Sequence, residues 1–79
     1  MPSGPQIRAA RALLGISAQD LAQVSDVGWA TIQRYEAVSG VPKGQPEKLA
    51  AIVRALEDAG IEFLGDPIKS PGVRLMPRK

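Results

Sequence analysis

The chain has 79 residues and a net charge of +2, and it contains neither cysteine nor histidine. That length makes one small domain whose core is only just sufficient, so added support from a second copy is expected. The composition excludes a disulfide framework and a thiolate metal site, and it removes the commonest general base and metal ligand.

The chain opens with a short lead, MPSGPQIR, that lacks the apolar core of a signal peptide. No apolar run approaches the roughly 20 residues of a membrane-spanning helix, so a cytoplasmic protein without membrane contact is expected. Pro5 suits the first position of a helix capped by Ser3 or Gly4. Ile7, Ala10 and Leu14 then recur at helical spacing, with Arg8 and Arg11 to the side, and Gly15 reads as a left-handed C-terminal stop. Ile16 follows and is expected to pack under the next helix.

The stretch from Ser17 to Glu36 predicts two short helices joined by a tight turn. Ser17-x-x-Asp20 resembles a capping box and opens a helix over Ser17 to Val24, with Leu21 and Ala22 inward. Ser25, Asp26 and Val27 form the turn, and Val27 plugs its corner. The third helix runs from Trp29 to Ala37 with Ile32 and Tyr35 on its inner face. After a loop, VSGVPKGQ, Pro46 opens a fourth helix with Glu47 in its first turn. Leu49, Ile52, Val53 and Leu56 give that helix an apolar stripe, and Gly60 ends it.

Beyond Gly60 the period changes. Ile61–Leu64 and Val73–Met76 read as strands separated by the breaker-rich GDPIKSPG. Ile61 and Phe63 share a face, as do Val73 and Leu75. A lone hairpin is marginal, so this one needs a surface to lie on or another copy to pair with. The whole is mainly α, four helices with a short C-terminal β-hairpin. The division expected is residues 1–60 for the helical part and 61–79 for the strand pair and a basic tail. Residues 1–68 sum to −2, whereas 69–79 hold Lys69, Arg74, Arg78 and Lys79 without an acid and sum to +4. Such a tail suits nucleic acid or simply solubilises the chain.

Residues 6–58 resemble the lambda-repressor-like helix-turn-helix domain of the Xre/Cro type. The resemblance rests on IRAARALLGIS, DLA, TIQRYEA and VPKGQPEKLAAIVRAL in that order and spacing. The ending GIEFL…PGVRL is similar to that of short, stand-alone bacterial members. The resemblance implies sequence-specific binding of double-stranded DNA, as a homodimer, in transcription regulation, with the third helix in the major groove and no cofactor. It places base contacts at Trp29, Ala30, Gln33 and Arg34. Gln33 suits adenine and Arg34 suits guanine. Trp29 either meets a thymine methyl or sugar edge, or packs on the body as an anchor.

Gly28, Thr31, Lys43 and Gly44 complete the expected interface, with Lys43 and the Gly44 backbone toward phosphate and Arg8 a weaker candidate. Three positions depart from the family pattern. Ala18 stands where a phosphate-binding Gln is common, leaving Gln19 as its substitute. Asp26 stands in the turn where Gly is common, and Gly28 stands where a Ser or Thr cap is usual. Many family members also pair the positions of Arg11 and Glu36 in an ion pair. The competing function is a protein-interaction module, such as an antitoxin-like partner, that keeps the fold. Catalysis is not expected, because nothing in the sequence assembles a reactive site. The tail either pairs between subunits or lies on its own domain as a lid.

Overall fold

The computed structural model describes residues 1–77; Arg78 and Lys79, the last cations of the basic tail, lie outside the described residues. Helix α1 spans Gly4–Leu14, and Ser3 caps it through a reciprocal pair. The Gln6 N–H donates to Ser3 Oγ at 3.4 Å, and the Ser3 N–H donates to Gln6 Oε1 at 2.9 Å. Two otherwise orphaned amides are thereby satisfied. Gly15, at φ 68, ends the helix as expected.

Helix α2 covers Ala18–Ser25 and carries the expected box between Ser17 and Asp20, with both bonds at 3.0 Å. The Ser17 N–H holds the Asp20 carboxyl below its ordinary pKa. Asp26 then adopts a left-handed conformation at φ 58, one that Asp tolerates better than most residues, and Val27 seals the corner. Helix α3 spans Trp29–Glu36, one residue shorter than expected, with Ala37 as its C-cap. Helix α4 spans Pro46–Asp58. Among the described residues no helix is long and apolar enough to cross a membrane.

Strands β1 (Ile61–Leu64) and β2 (Gly72–Leu75) pair antiparallel, with Ile61 opposite Leu75 and Phe63 opposite Val73. Strand β2 begins one residue earlier than expected because Gly72 pairs with Leu64. The Met76 N–H still continues the pairing beyond it, donating to the Gly60 carbonyl at 2.7 Å.

The core is centred on Ile7, Leu21, Ile32, Ile52 and Leu56, each fully buried and together drawn from all four helices. Burying a side chain of this size contributes about 1.5–3 kcal/mol, so these five outweigh any single surface interaction. Ile61 joins the same core, and Phe63 and Val73 pack against it. The hairpin therefore lies on the helical body, with β2 beside α1 and β1 beside α4. Gln6 fixes it there. Its Nε2 donates to the carbonyls of Leu64 and Gly72, at 3.2 and 2.9 Å. One buried amide thus clamps both strands at their turn end.

Candidate nucleic-acid interface

Helix α3 divides cleanly along its length. Ile32, Tyr35 and Glu36 are buried, whereas Trp29, Ala30, Gln33 and Arg34 are exposed. At 3.6 residues per turn the exposed four fall within one arc of about 140°. Thr31 lies at its margin, half-buried. Trp29 is 51% exposed and does not belong to the buried core. Gly28 caps α3 without a side chain, and a Cβ built there would meet nothing within 4 Å.

The inner side of α3 is held by charge and by close backbone contact. Arg11 grips Glu36 along one edge of its guanidinium, Nε to Oε2 at 2.7 Å and Nη2 to Oε1 at 2.8 Å, while its Nη1 donates to the Ile16 carbonyl at 3.2 Å. Planar two-point pairing of this kind gives both strength and orientation. The Glu36 hydrogen bond raises the Arg11 pKa above its ordinary value. Arg8, the weaker phosphate candidate, instead donates from Nη1 to the Glu36 carbonyl at 2.7 Å. A carbonyl at the C-terminal end of α3 is thereby met by a cation, as the helix dipole favours. The start of α1 presses on the same end: the Gly4 N–H donates to the Gly40 carbonyl at 3.0 Å.

Ala18 is a core residue, 6% exposed, while its neighbour Gln19 faces solvent in the first turn of α2. The methyl of Ala18 suits a buried position that a long amide would overfill, so Gln19 carries the only outward amide at this turn.

A groove of about 550 Å³ runs along the C-terminal half of α3 and the loop that follows. Arg34, Val38, Pro42, Lys43 and Ile68 are among its lining residues. Arg34, a candidate base contact, and Lys43, a candidate phosphate contact, both line this groove, and no acidic side chain does. Arg34 Cζ stands 6.0 Å from the Tyr35 ring centroid, at the limit of cation–π range. Gly44 follows Lys43 at φ 112, and its backbone is open to solvent. Trp29, Ala30 and Gln33 continue the exposed face of α3, whereas Gln19 and Gly44 are outside the groove lining. Among the described residues only Arg11–Glu36 and Arg74–Glu62 form ion pairs, so Arg34 and Lys43 keep their charges uncompensated.

Ile68 was not expected here. It comes from the β1–β2 loop, and its Cδ1 lies 3.4 Å from where a Cβ on Gly40 would stand. The local signal for this loop is Asp66 ahead of Pro67 in a breaker-rich stretch, where an Asp side chain commonly binds its own backbone two or three residues on. Nothing in the sequence tied that loop to α3. Set against models of known families, curated proteins and solved structures, the chain finds no match in any of the three.

Proposed function

We propose that the chain is a sequence-specific, double-stranded DNA-binding regulator of transcription, in which α2 and α3 form a helix-turn-helix and α3 enters the major groove. The observation that carries this reading is the asymmetry of α3. Its inner side is locked by Ile32, Tyr35 and the Arg11–Glu36 pair, while Trp29, Ala30, Gln33 and Arg34 are held out on one arc. A reading helix needs that combination, because base-edge contacts gain specificity only when the side chains are presented rigidly. Gln33 and Arg34 supply the donors suited to adenine and guanine edges. Lys43 and the amides near Gly44 supply backbone contacts that set register.

Action as a dimer on a palindromic operator belongs to the same proposal. Leu75 and Met76 remain 39% and 41% exposed at the end of β2, next to exposed Leu13 on α1. A second copy would cover them, and two α3 helices about 34 Å apart would meet successive major grooves. Selection of bound duplexes from a random pool tests the reading. A recovered motif with two-fold symmetry is expected, and recovery of unselected sequence would overturn it.

The same apolar surface favours a second reading, an interaction module that binds a different protein. Exposed Val24 and a groove of about 540 Å³ along Leu14, Ile16, Ala55 and Ala59 extend it. In that case substitutions at Leu13 or Val24 would abolish partner binding, and those at Gln33 or Arg34 would not.

A further inference from the structure

We infer that the β1–β2 loop is part of the nucleic-acid face and that Lys69 is a phosphate contact on it. This rests on the DNA-binding reading above and adds to it an element outside the helical body.

Three observations lead there. The first is position. Ile68 is 62% exposed, yet its side chain lines the groove shared by Arg34 and Lys43 and rests on Gly40. Lys69 is the next residue and is exposed.

The second is rigidity. Asp66 organises the loop: its Oδ2 accepts the N–H of Lys69 at 2.7 Å and of Ile68 at 2.9 Å. The Asp66 N–H donates to Ser70 Oγ at 3.2 Å, and the Ser70 N–H returns to the Asp66 carbonyl at 3.1 Å. Gly65 turns at φ 73, and a Cβ there would fall 2.0 Å from the Ser70 carbonyl oxygen. The loop therefore has one defined shape. Its base is clamped by Gln6, and the same α1 is bound at Gly4 to the loop that follows α3. A continuous set of hydrogen bonds thus fixes the hairpin loop relative to the reading helix.

The third is charge. Lys69 forms no ion pair among the described residues, and the nearest acid in sequence, Asp66, has its carboxylate committed to backbone amides. The fold places no demand on the Lys69 ammonium. An exposed cation on the residue next to Ile68, which lines the groove with Arg34 and Lys43, suits a polyanion, since each phosphate neutralised releases condensed counterions.

The test uses the full chain and its selected duplex, with binding measured by fluorescence anisotropy from low to high salt. One phosphate contact adds about 0.9 to the slope of log affinity against log salt, which is about eightfold in affinity at 0.1 M. Lys69→Ala is expected to lower affinity by about that factor for every duplex, to flatten the slope by about one and to leave base preference unchanged. Lys69→Glu should lower affinity further. Arg54→Ala, which removes an exposed cation of α4 outside the groove, should leave the slope alone. Thermal unfolding of each variant confirms that the fold is intact, and the exposure of Lys69 makes that the expected result. If Lys43→Ala flattens the slope and Lys69→Ala does not, the loop is no part of the interface, and the DNA-binding reading still stands. If the wild-type chain binds no duplex, the reading itself falls, and this inference with it.

Discussion

Glu36 is met twice by the N-terminal helix: Arg11 pairs with its carboxylate at 2.7 and 2.8 Å, and Arg8 donates to its backbone carbonyl at 2.7 Å. Glu36 is 5% exposed, and the Arg11 side chain retains 23%. This contact ties the C-terminal end of α3 to α1, so it connects the scaffold to the exposed face of α3.

Glu36→Ala is expected to destabilise the chain by about 3 kcal/mol, the lower end for a broken buried pair, because Arg11 stays partly hydrated. Chemical denaturation reads this directly as a lower midpoint at an unchanged slope. A wild-type midpoint would mean that the pair contributes nothing to holding α3.

Gln33→Ala and Arg34→Ala are each expected to weaken specific binding by about 1–3 kcal/mol and to relax preference at one base pair. Lys43→Ala should weaken all sequences alike and flatten the salt dependence by about one. Anisotropy on matched and single-mismatch duplexes separates the two behaviours. Unchanged preference in both α3 variants would remove α3 from the reading role.

Gly4→Ala should be among the most damaging small substitutions. The added Cβ would stand 2.1 Å from the Val38 carbonyl oxygen, 2.7 Å from that of Tyr35 and 3.0 Å from that of Glu36. Backbone cannot yield as a side-chain tip can, so α1 and α3 must separate, at a cost of about 1–3 kcal/mol or more. A thermal midpoint equal to wild type would show that the two helices do not meet this closely.

Loop order should depend on pH through Asp66. The amides of Lys69 and Ile68 hold its carboxyl below the ordinary pKa. A depressed carboxyl stabilises the folded loop at pH above the unfolded value of about 3.9, and that contribution is lost as pH falls through the folded value. NMR titration should find an Asp66 midpoint below the usual carboxylate range, with the Ile68 and Lys69 amide signals moving at the same midpoint. A midpoint at or above that range would contradict the arrangement.

The dimer is tested on the full chain, because removing the hairpin would also strip Ile61 from the core and leave Gln6 without its partners. Light scattering at tens of micromolar should give a dimer. Leu75→Glu with Met76→Glu should give a folded monomer with most operator affinity lost. A wild-type monomer under those conditions would refute pairing through this surface.

What the sequence determined by itself is local. Ser17 and Asp20 announce the start of α2, Gly15 the end of α1 and Pro46 the start of α4, because caps and stops act through hydrogen bonds and dihedral limits spanning three or four residues. The inward faces, such as Ile32 with Tyr35, follow from a period that needs no knowledge of the partner. The four helices, the hairpin and the Arg11–Glu36 pair were legible in this way, the last through the resemblance.

What only the tertiary structure decided involves partners far apart in the chain. Gln6 reads as an ordinary polar helix residue until two carbonyls more than fifty residues away close over it. Arg8 has the look of a free cation until the end of α3 arrives beside it. In the sequence Trp29 fits a DNA contact and a packed anchor equally well, and Ile68 is an anonymous loop residue. Their surroundings depend on how α1, α3 and the hairpin cross. Those crossings are settled by close packing over the whole core, which no short stretch of sequence encodes.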